Sequence, residues 1–268
     1  MTEPDRLRLI ESRQNSFVKE LRSAFHNGDL AAGGECAIEG IKLVEEAIRS
    51  GLRLSAVFIS ESGRERATRL LPQLGSHTET LLLPDDIFRS AVTTEAPQGI
   101  AALVRLKQHS LDDLVRVIEP LIIIAAGLQD PGNLGTIIRS AEAFSATGLI
   151  AAEGTVNPFN PKVARGSAGS IFRLPVARTA GAAAIAALRA RGIRILATSS
   201  HKSVPVQEAD LTGPLAIIIG NEGAGVPREL LKEADQVIRV PHALKVESLN
   251  AGIAASVVLY ECERQRSR

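Results

Sequence analysis

The chain has 268 residues and a formal net charge of +1, and 45% of its residues are hydrophobic against 23% charged. This composition is that of a packed globular protein and excludes a disordered chain. Because the net charge is close to zero, any nucleic-acid partner must be held by a local basic patch rather than by the overall charge. Cys36 and Cys262 lie far apart without CxxC spacing, which gives no support to a disulfide framework or a zinc site and argues against iron–sulfur chemistry. The polar residues 1–9 and the shortness of every apolar run predict a cytoplasmic protein with no membrane-spanning segment.

The first half of the chain alternates helical and strand patterns. Phe17, Val18, Leu21 and Phe25 recur at helical spacing, for example. The patterns predict helices at 15–25, 41–50, 64–71 and 85–91 and strands at 54–59, 81–83 and 100–106. We therefore expect a small α/β domain over 1–107, which ends at the polar stretch 107–113.

The second half also alternates, and its strands are richer in isoleucine and valine. The patterns predict strands at 121–126, 149–151, 193–197, 216–219 and 237–240 and helices at 134–145, 181–191, 227–233 and 248–263. Continuous apolar strands followed by helices indicate a mostly parallel sheet covered on both faces. We expect this second domain to span 113–268, with ligands bound by loops at the carboxyl ends of its strands.

The first unusual loop there precedes the helix predicted at 134–145. Asn133 lies between Gly132 and Gly135, so the backbone can approach an anion at a helix N-terminus. Asn133 has a simpler interpretation as the N-cap of that helix. Arg139 also has a simpler interpretation, as the ion-pair partner of Glu142 three residues further on.

Two more loops follow later strands. Residues 220–225 contain three glycines, which allow close approach of backbone to a ligand but lack the ending of a P-loop. In the loop 240–250, Ser248 is a candidate N-cap for the last helix. Gly252 and Ala255 on that helix permit close packing, either against the domain's own sheet or against a second subunit.

The order of these loops adds information that each loop lacks alone. Asn133-Leu-Gly-Thr-Ile-Ile-Arg139, Gly220-Asn-Glu-Gly-Ala-Gly225 and Ser248-Leu-Asn250 resemble the three signature motifs of the SpoU group, the 2′-O-ribose RNA methyltransferases of the SPOUT superfamily. Residues 12–21, 39–45 and 97–100 look like the family's substrate-binding domain. The resemblance covers nearly the whole chain.

The resemblance implies a SPOUT domain with a deep C-terminal trefoil knot, preceded by a small α/β RNA-binding domain of ribosomal-protein type. It also implies S-adenosylmethionine as the cofactor, no metal, and a homodimer formed through the C-terminal domain. The family's catalytic positions fall on Asn133, Arg139, Glu222, Ser248 and Asn250, and its cofactor contacts fall on Thr198, Gly220, Val240 and Leu249.

Arg139 has a central part in the mechanism that the resemblance implies. A guanidinium group stays protonated in proteins, so fixing the phosphate and stabilising negative charge on the 2′-oxygen is its physically simpler role. Whether Arg139 or Glu222 handles the hydroxyl proton stays open at this point.

The implied substrate is structured RNA, with ribosomal RNA first and transfer RNA second. The scarcity of aromatic residues (3%) favours recognition of RNA shape and phosphates over base stacking. The candidate phosphate contacts are Arg13, Lys19, Arg22, Lys162 and Arg165. Two other interpretations remain: a catalytically silent RNA-binding homologue, which the retained motif residues disfavour, and a nucleotide-dependent oxidoreductase, which the missing GxGxxG pattern disfavours.

Overall fold

A computed structural model of the protein describes residues 7–31, 33–199, 203–243 and 245–267. In chain order the elements are β1 (Arg8–Leu9), α1 (Ser16–Asn27), β2 (Glu35–Glu39), α2 (Ile41–Arg49), β3 (Arg53–Ser60), α3 (Arg64–Ala67), β4 (Glu79–Leu83), α4 (Asp85–Ala91), β5 (Ile100–Arg105), α5 (Leu111–Leu114), β6 (Leu121–Ala125), α6 (Pro131–Ala143), β7 (Gly148–Ala151), α7 (Pro161–Gly166), β8 (Val176–Arg178), α8 (Gly181–Arg189), β9 (Arg194–Thr198), β10 (Val204–Pro205), β11 (Leu215–Ile219), α9 (Arg228–Lys232), β12 (Gln236–Arg239) and α10 (Ala251–Arg266). None of the helices in the described ranges has both the length and the hydropathy needed to cross a membrane.

The chain forms two compact units. The N-terminal unit runs to Lys107 and also includes Phe159–Phe172, whereas the C-terminal unit consists of Gln108–Pro158 and the chain from Arg173 onward. The chain first crosses from the N-terminal to the C-terminal unit between residues 107 and 108, within the polar stretch 107–113. The excursion at 159–172 has no counterpart among the sequence-based expectations.

The N-terminal unit is built around a mixed five-stranded sheet in the order β1-β4-β3-β5-β2. β3 pairs in parallel with β4 and antiparallel with β5, which in turn pairs antiparallel with β2. Its core includes Leu21 of α1, Phe88 of α4 and Leu103 of β5, each at most 1% exposed. The α/β prediction for the first half is confirmed.

The excursion 159–172 completes this unit by packing α7 against β2. The Cys36 thiol donates to the backbone oxygen of Phe159 at 3.1 Å, and burial raises the pKa of this thiol to about 12, so it remains a neutral donor. Asn160 caps α7 by accepting from the N–H of Lys162 at 2.8 Å. The Asn160 side chain lies against Gly28, where a Cβ would come within 2.4 Å of its Nδ2 atom. These contacts anchor α7 through backbone and neutral groups.

The C-terminal unit holds a seven-stranded sheet in the order β10-β12-β9-β11-β6-β7-β8, and every pairing in it is parallel. The two central strands, β6 and β11, are buried along their whole length. Because alternate side chains of a strand point to opposite faces, continuous burial means that both faces are covered. Each fully buried isoleucine there contributes roughly 1.5–3 kcal/mol through the hydrophobic effect. The prediction of a mostly parallel sheet is confirmed.

α6 and α10 pack against each other along a seam of small residues. A Cβ on Gly252 would lie 3.1 Å from Thr136, and the hydroxyls of Ser140 and Ser256 are 2.6 Å apart. Ala255 is fully buried. Gly252 therefore packs against α6, a helix of the same unit, rather than against the sheet or the second subunit that the sequence analysis considered.

The structure adds short elements that the sequence patterns missed. They are β1, β2, β8, β10, α5 and α7. β2 has a glutamate at each end, and Glu35 lies buried beside Arg105. Only three apolar residues remain between them, which is too short a run to indicate a strand. The last helix starts at Ala251 rather than at 248, because its cap is Asn250.

Candidate active site

The order of strand addition reverses between β6 and β11. The chain adds β7 and β8 on one side of β6, while β11, β9, β12 and β10 lie on the other side. In a parallel sheet, the loops that follow the strands on either side of such a reversal leave a crevice at the carboxyl edge. The loops after β6 and β11 are 126–130 and 220–227. The first leads into the helix that carries Asn133 and Arg139, and the second contains the glycine-rich motif.

The first loop leads into α6, whose N-cap is Asp130. The Asp130 carboxylate accepts the N–H of Asn133 at 2.8 Å, and Pro131 occupies the first turn, where a missing N–H costs nothing. The N-cap interpretation of Asn133 is therefore wrong. Asn133 lies inside the first turn of α6, with its side-chain amide available for other contacts.

The glycine-rich loop after β11 is closed by Asn221. Its Oδ1 accepts from the N–H groups of Gly223 (2.9 Å) and Ala224 (3.1 Å), and its Nδ2 donates to the backbone oxygen of Gly127 at 3.0 Å. Gly220 leaves no room for a side chain, because a Cβ there would lie 2.2 Å from the backbone of Gly225. Asn221 therefore both shapes this loop and ties it to the loop after β6.

The third loop ends at Asn250, which is the N-cap of α10. Its Oδ1 accepts from the N–H groups of Gly252 (2.9 Å) and Ile253 (3.2 Å). The alternative that Ser248 caps this helix is wrong, and Ser248 lies exposed two residues earlier.

Three side chains, one from each motif, form a hydrogen-bonded series that we call the amide link: Asn250, Asn133 and Glu222. Asn250 Nδ2 donates to Asn133 Oδ1 at 2.9 Å, and Asn133 Nδ2 donates to Glu222 Oε1. A carboxylate only accepts hydrogen bonds, so Asn133 must present its NH₂ to Glu222 and its oxygen to Asn250. Asn250 in turn must present its oxygen to the helix N–H groups, so both amide orientations are fixed by their neighbours.

Arg139 and Ser248 are not part of the amide link. Arg139 lies on α6, about 120° around the helix from Asn133, and its side chain is exposed. Within the described residues no hydrogen bond or ion pair engages it. The expected pairing of Arg139 with Glu142 is wrong, because Glu142 accepts from Arg173, with Nη2 and Oε2 at 2.9 Å. The guanidinium group of Arg139 is thus free for an anion.

The candidate cofactor residues occupy neighbouring strand ends. Thr198 ends β9, Gly220 follows β11 and Val240 follows β12, and these three strands are adjacent and parallel. Thr198 Oγ1 donates to the backbone oxygen of Ile218 at 3.1 Å, which fixes one strand end against the next. Leu249 is half-buried next to the amide link.

The candidate RNA-binding residues all lie in the N-terminal unit. Arg13 forms an exposed ion pair with Asp86 at 2.7 Å, and this contact holds the pKa of Asp86 below its usual value. Lys19 and Lys162 are exposed, on α1 and α7. Arg22 and Arg165 are hydrogen-bonded to neutral oxygens, at Ser90 and Thr94.

Sequence reasoning missed two residues that shape the site, Asp130 and Asn221. Asp130 precedes Pro131 and lies three places before Asn133, whereas Asn221 follows Gly220 and directly precedes Glu222. Asp before Pro is a helix-start signal that was available in the sequence. The donation from Asn221 to Gly127 joins residues 94 positions apart, and no local pattern reveals such a contact. In the part of the chain that the structure describes, no cluster of three or more His, Cys, Asp or Glu side chains is placed to hold a metal ion.

Comparison with known proteins agrees with the motifs. Residues 120–260 match the SpoU rRNA Methylase family, and residues 15–102 match the MRM3-like substrate binding domain. The 23S rRNA (guanosine(2553)-2′-O)-methyltransferase RlmP of Bacillus subtilis is 32% identical over 95% of this chain and 98% of its own length. The 23S rRNA (uridine(2479)-2′-O)-methyltransferase of Streptomyces viridochromogenes is 30% identical over 97% of this chain and 93% of its own.

Solved structures agree as well. The AdoMet-bound rRNA methyltransferase from Sinorhizobium meliloti superposes with a TM-score of 0.82 at 29% identity, covering 97% of this chain and 98% of that chain. The SpoU methyltransferase AviRb from Streptomyces viridochromogenes, in complex with AdoMet, gives a TM-score of 0.83 at 28% identity over 94% of this chain and 98% of its own. The family match spans more than half of the chain, and its three motifs meet in one site. The chain belongs to the SpoU rRNA methylase family.

Proposed function

We propose that this protein transfers the methyl group of S-adenosylmethionine to a ribose 2′-hydroxyl of ribosomal RNA. The observation that carries the proposal is the amide link, because it brings the family's three motifs together in one site. Two relatives that are similar over nearly their whole length are named as 23S rRNA 2′-O-methyltransferases, which supports ribosomal RNA as the substrate class.

The carboxyl edge of the seven-stranded sheet fits S-adenosylmethionine. In the loop after β12, the described residues 240–243 and 245–249 contain no helix or strand. Within the loop, Val246 N–H donates to Ala243 O at 2.9 Å, and Val240 O lies 2.9 Å from His242 Nδ1. The remaining backbone donors and acceptors suit the adenine edge and ribose hydroxyls of the cofactor. Thr198, Gly220, Val240 and Leu249 would hold it, and when bound it supplies a methyl group already activated by a positively charged sulfur.

Arg139 stabilises the negative charge of the RNA around the reacting hydroxyl. Its free guanidinium group binds the adjacent phosphate and the developing charge on the 2′-oxygen as the oxygen–methyl bond forms and the carbon–sulfur bond breaks. Glu222 has one carboxylate oxygen engaged by Asn133, which leaves Oε2 to accept the hydroxyl proton. Asn133 and Asn250 hold Glu222 in place, and Ser248 lies exposed beside them for a hydrogen bond to substrate.

RNA selection belongs to the N-terminal unit in this proposal. Residues 1–107 are the substrate-binding domain, to which 159–172 contribute, and the rest of 113–268 is the methyltransferase domain. The basic residues Lys19, Arg22, Lys162 and Arg165 provide phosphate contacts, and Arg13 contributes less because Asp86 already compensates its charge. We place this activity in the cytoplasm, where ribosomal RNA is folded and assembled in bacteria.

The enzyme acts as a homodimer through α10. Ile253, Val257 and Tyr260 recur every three to four residues and are 54%, 38% and 56% exposed, which makes an apolar stripe along one face of the helix. A second copy of the same helix would cover this stripe. The trefoil knot implied by the family is part of the proposal too, and the return of the chain after β12 to the start of α6 is consistent with it.

Methyl transfer to unmodified RNA tests the function. Full-length protein is incubated with labelled S-adenosylmethionine and either 23S ribosomal RNA or transfer RNA transcribed in vitro, and the RNA is digested to nucleosides. We expect a labelled 2′-O-methylnucleoside in the ribosomal RNA sample. Label on a base, or in transfer RNA alone, would contradict the proposal, and cofactor binding without any transfer would favour the silent homologue.

A further inference from the structure

Two arginines of the N-terminal unit converge on one short segment, residues 90–94. Arg22 of α1 donates from Nε to the backbone oxygen of Ser90 and from Nη2 to its hydroxyl, both at 3.1 Å. Arg165 of α7 donates from Nη1 to the hydroxyl of Thr94 at 2.9 Å. Ser90 and Thr94 are separated by at most about 14 Å of extended chain, so both guanidinium groups lie in one small region.

The charges of these two arginines are not compensated. Some other arginines of the unit have acidic partners, such as Glu79 for Arg8 and Glu35 for Arg105, and some, such as Arg53 and Arg64, form no ion pair among the described residues. Among the described residues, Arg22 and Arg165 bind only neutral oxygens, and neither forms an ion pair. An arginine has five N–H donors, of which Arg22 spends two here and Arg165 one. Each guanidinium group is thus held in place with its charge and most of its donors available.

Each of these arginines also has a lysine three residues before it on the same helix. Lys19 precedes Arg22 on α1 and Lys162 precedes Arg165 on α7, and both lysines are exposed. Residues three apart on a helix are neighbours, so each arginine belongs to a pair of cations. The neighbouring aromatic residues Phe25 and Phe88 are buried (7% and 1% exposed), so the region offers no surface for stacking bases.

We propose that Arg22, Arg165 and segment 90–94 form a clamp for the phosphodiester backbone of structured RNA. Arginine side chains that are already held by hydrogen bonds lose little conformational entropy when they bind a phosphate. A-form RNA is recognised through its phosphates and 2′-hydroxyls. Arg165 lies within the residues that match the SpoU methylase family, yet it is built into the unit whose residues 15–102 match a substrate-binding domain. Both regions of the sequence therefore contribute to RNA binding by this unit. The choice of RNA as ligand rests on the proposed function.

The test compares RNA affinity across variants of the full-length protein. Arg22→Ala, Arg165→Ala and the double variant are titrated with in vitro transcribed 23S ribosomal RNA at several salt concentrations. Arg49→Ala is the matched control, because Arg49 is an exposed helical arginine of the same unit that pairs with Glu45 and Glu46. We expect each clamp variant to weaken binding roughly tenfold and to lower the salt slope by about one, while the control stays within twofold of wild type.

Unchanged affinity and salt slope in the double variant would overturn the clamp, as would an equal loss in Arg49→Ala or failure of the wild type to bind this RNA. If Arg22→Ala does not fold, Arg165→Ala still tests the clamp, because α7 is anchored separately through Cys36 and Gly28. The assay is independent of methyl transfer. If clamp variants lose RNA affinity while the wild type transfers no methyl group, the clamp stands and the proposed function fails.

Discussion

Asn221 fastens the glycine-rich loop without belonging to the set of motif residues expected to act on substrate. Its three hydrogen bonds shape the turn and tie it to Gly127, and the next residue in the chain is Glu222. We infer that Asn221 is a positioning residue: it holds the Glu222 carboxylate where Asn133 can bind it.

Replacing Asn221 by Ala should lower kcat about tenfold or more and leave the KM for RNA unchanged, because the RNA-binding unit is not altered. Each lost hydrogen bond costs roughly 0.5–1.5 kcal/mol of stability, which chemical denaturation will register. Kinetics of Asn221→Ala, Glu222→Gln and the double variant check the assignment. Residues that act as a unit give non-additive losses, so two fully additive effects would contradict it.

The start of α10 combines a structural and a catalytic role in Asn250. Its oxygen caps the helix and its NH₂ group binds Asn133. Asn250→Asp keeps the capping oxygen and loses the donor, whereas Asn250→Ala loses both. We expect the Ala variant to lose about 1 kcal/mol of unfolding free energy and the Asp variant to stay near wild type, with transfer strongly reduced in both.

Ser110→Ala is the control for this experiment, since Ser110 caps α5 by accepting from the N–H of Asp113 at 3.4 Å and lies outside the site. It should lose stability and retain methyl transfer. An Asn250→Asp variant with wild-type activity would show that the cap alone matters.

The long apolar elements were predictable, and the contacts between distant loops were not. The isoleucine runs of β6 and β11 and the helical spacing of α1 and α4 identify these elements, because burial of a continuous face leaves a periodic pattern. Motif order identified Asn133, Glu222 and Asn250 as candidates, but which of them bond to each other depends on tertiary structure. The caps Asp130 and Asn250 were misassigned to neighbouring residues, because several polar side chains near a helix start compete for one role.

The apolar stripe on α10 leads to a prediction about the oligomeric state of the protein. Replacing Val257 and Tyr260 by Glu places charges in the proposed interface, so the variant should sediment as a monomer where the wild type sediments as a dimer. Ile118→Glu is the matched control, because Ile118 is 95% exposed and is not part of α10. A monomeric wild type, or a variant that remains dimeric, would contradict the proposed interface.

The most direct measurement for the whole account compares wild type with Arg139→Ala in methyl transfer to unmodified 23S ribosomal RNA, with cofactor binding measured in parallel by calorimetry. Arg116→Ala removes a charge from an exposed arginine of the same unit outside the site and serves as control. We expect a 2′-O-methylnucleoside from wild type and control, no product from Arg139→Ala, and nearly equal affinity of all three proteins for S-adenosylmethionine. An Arg139→Ala protein that methylates RNA at the wild-type rate would contradict this expectation.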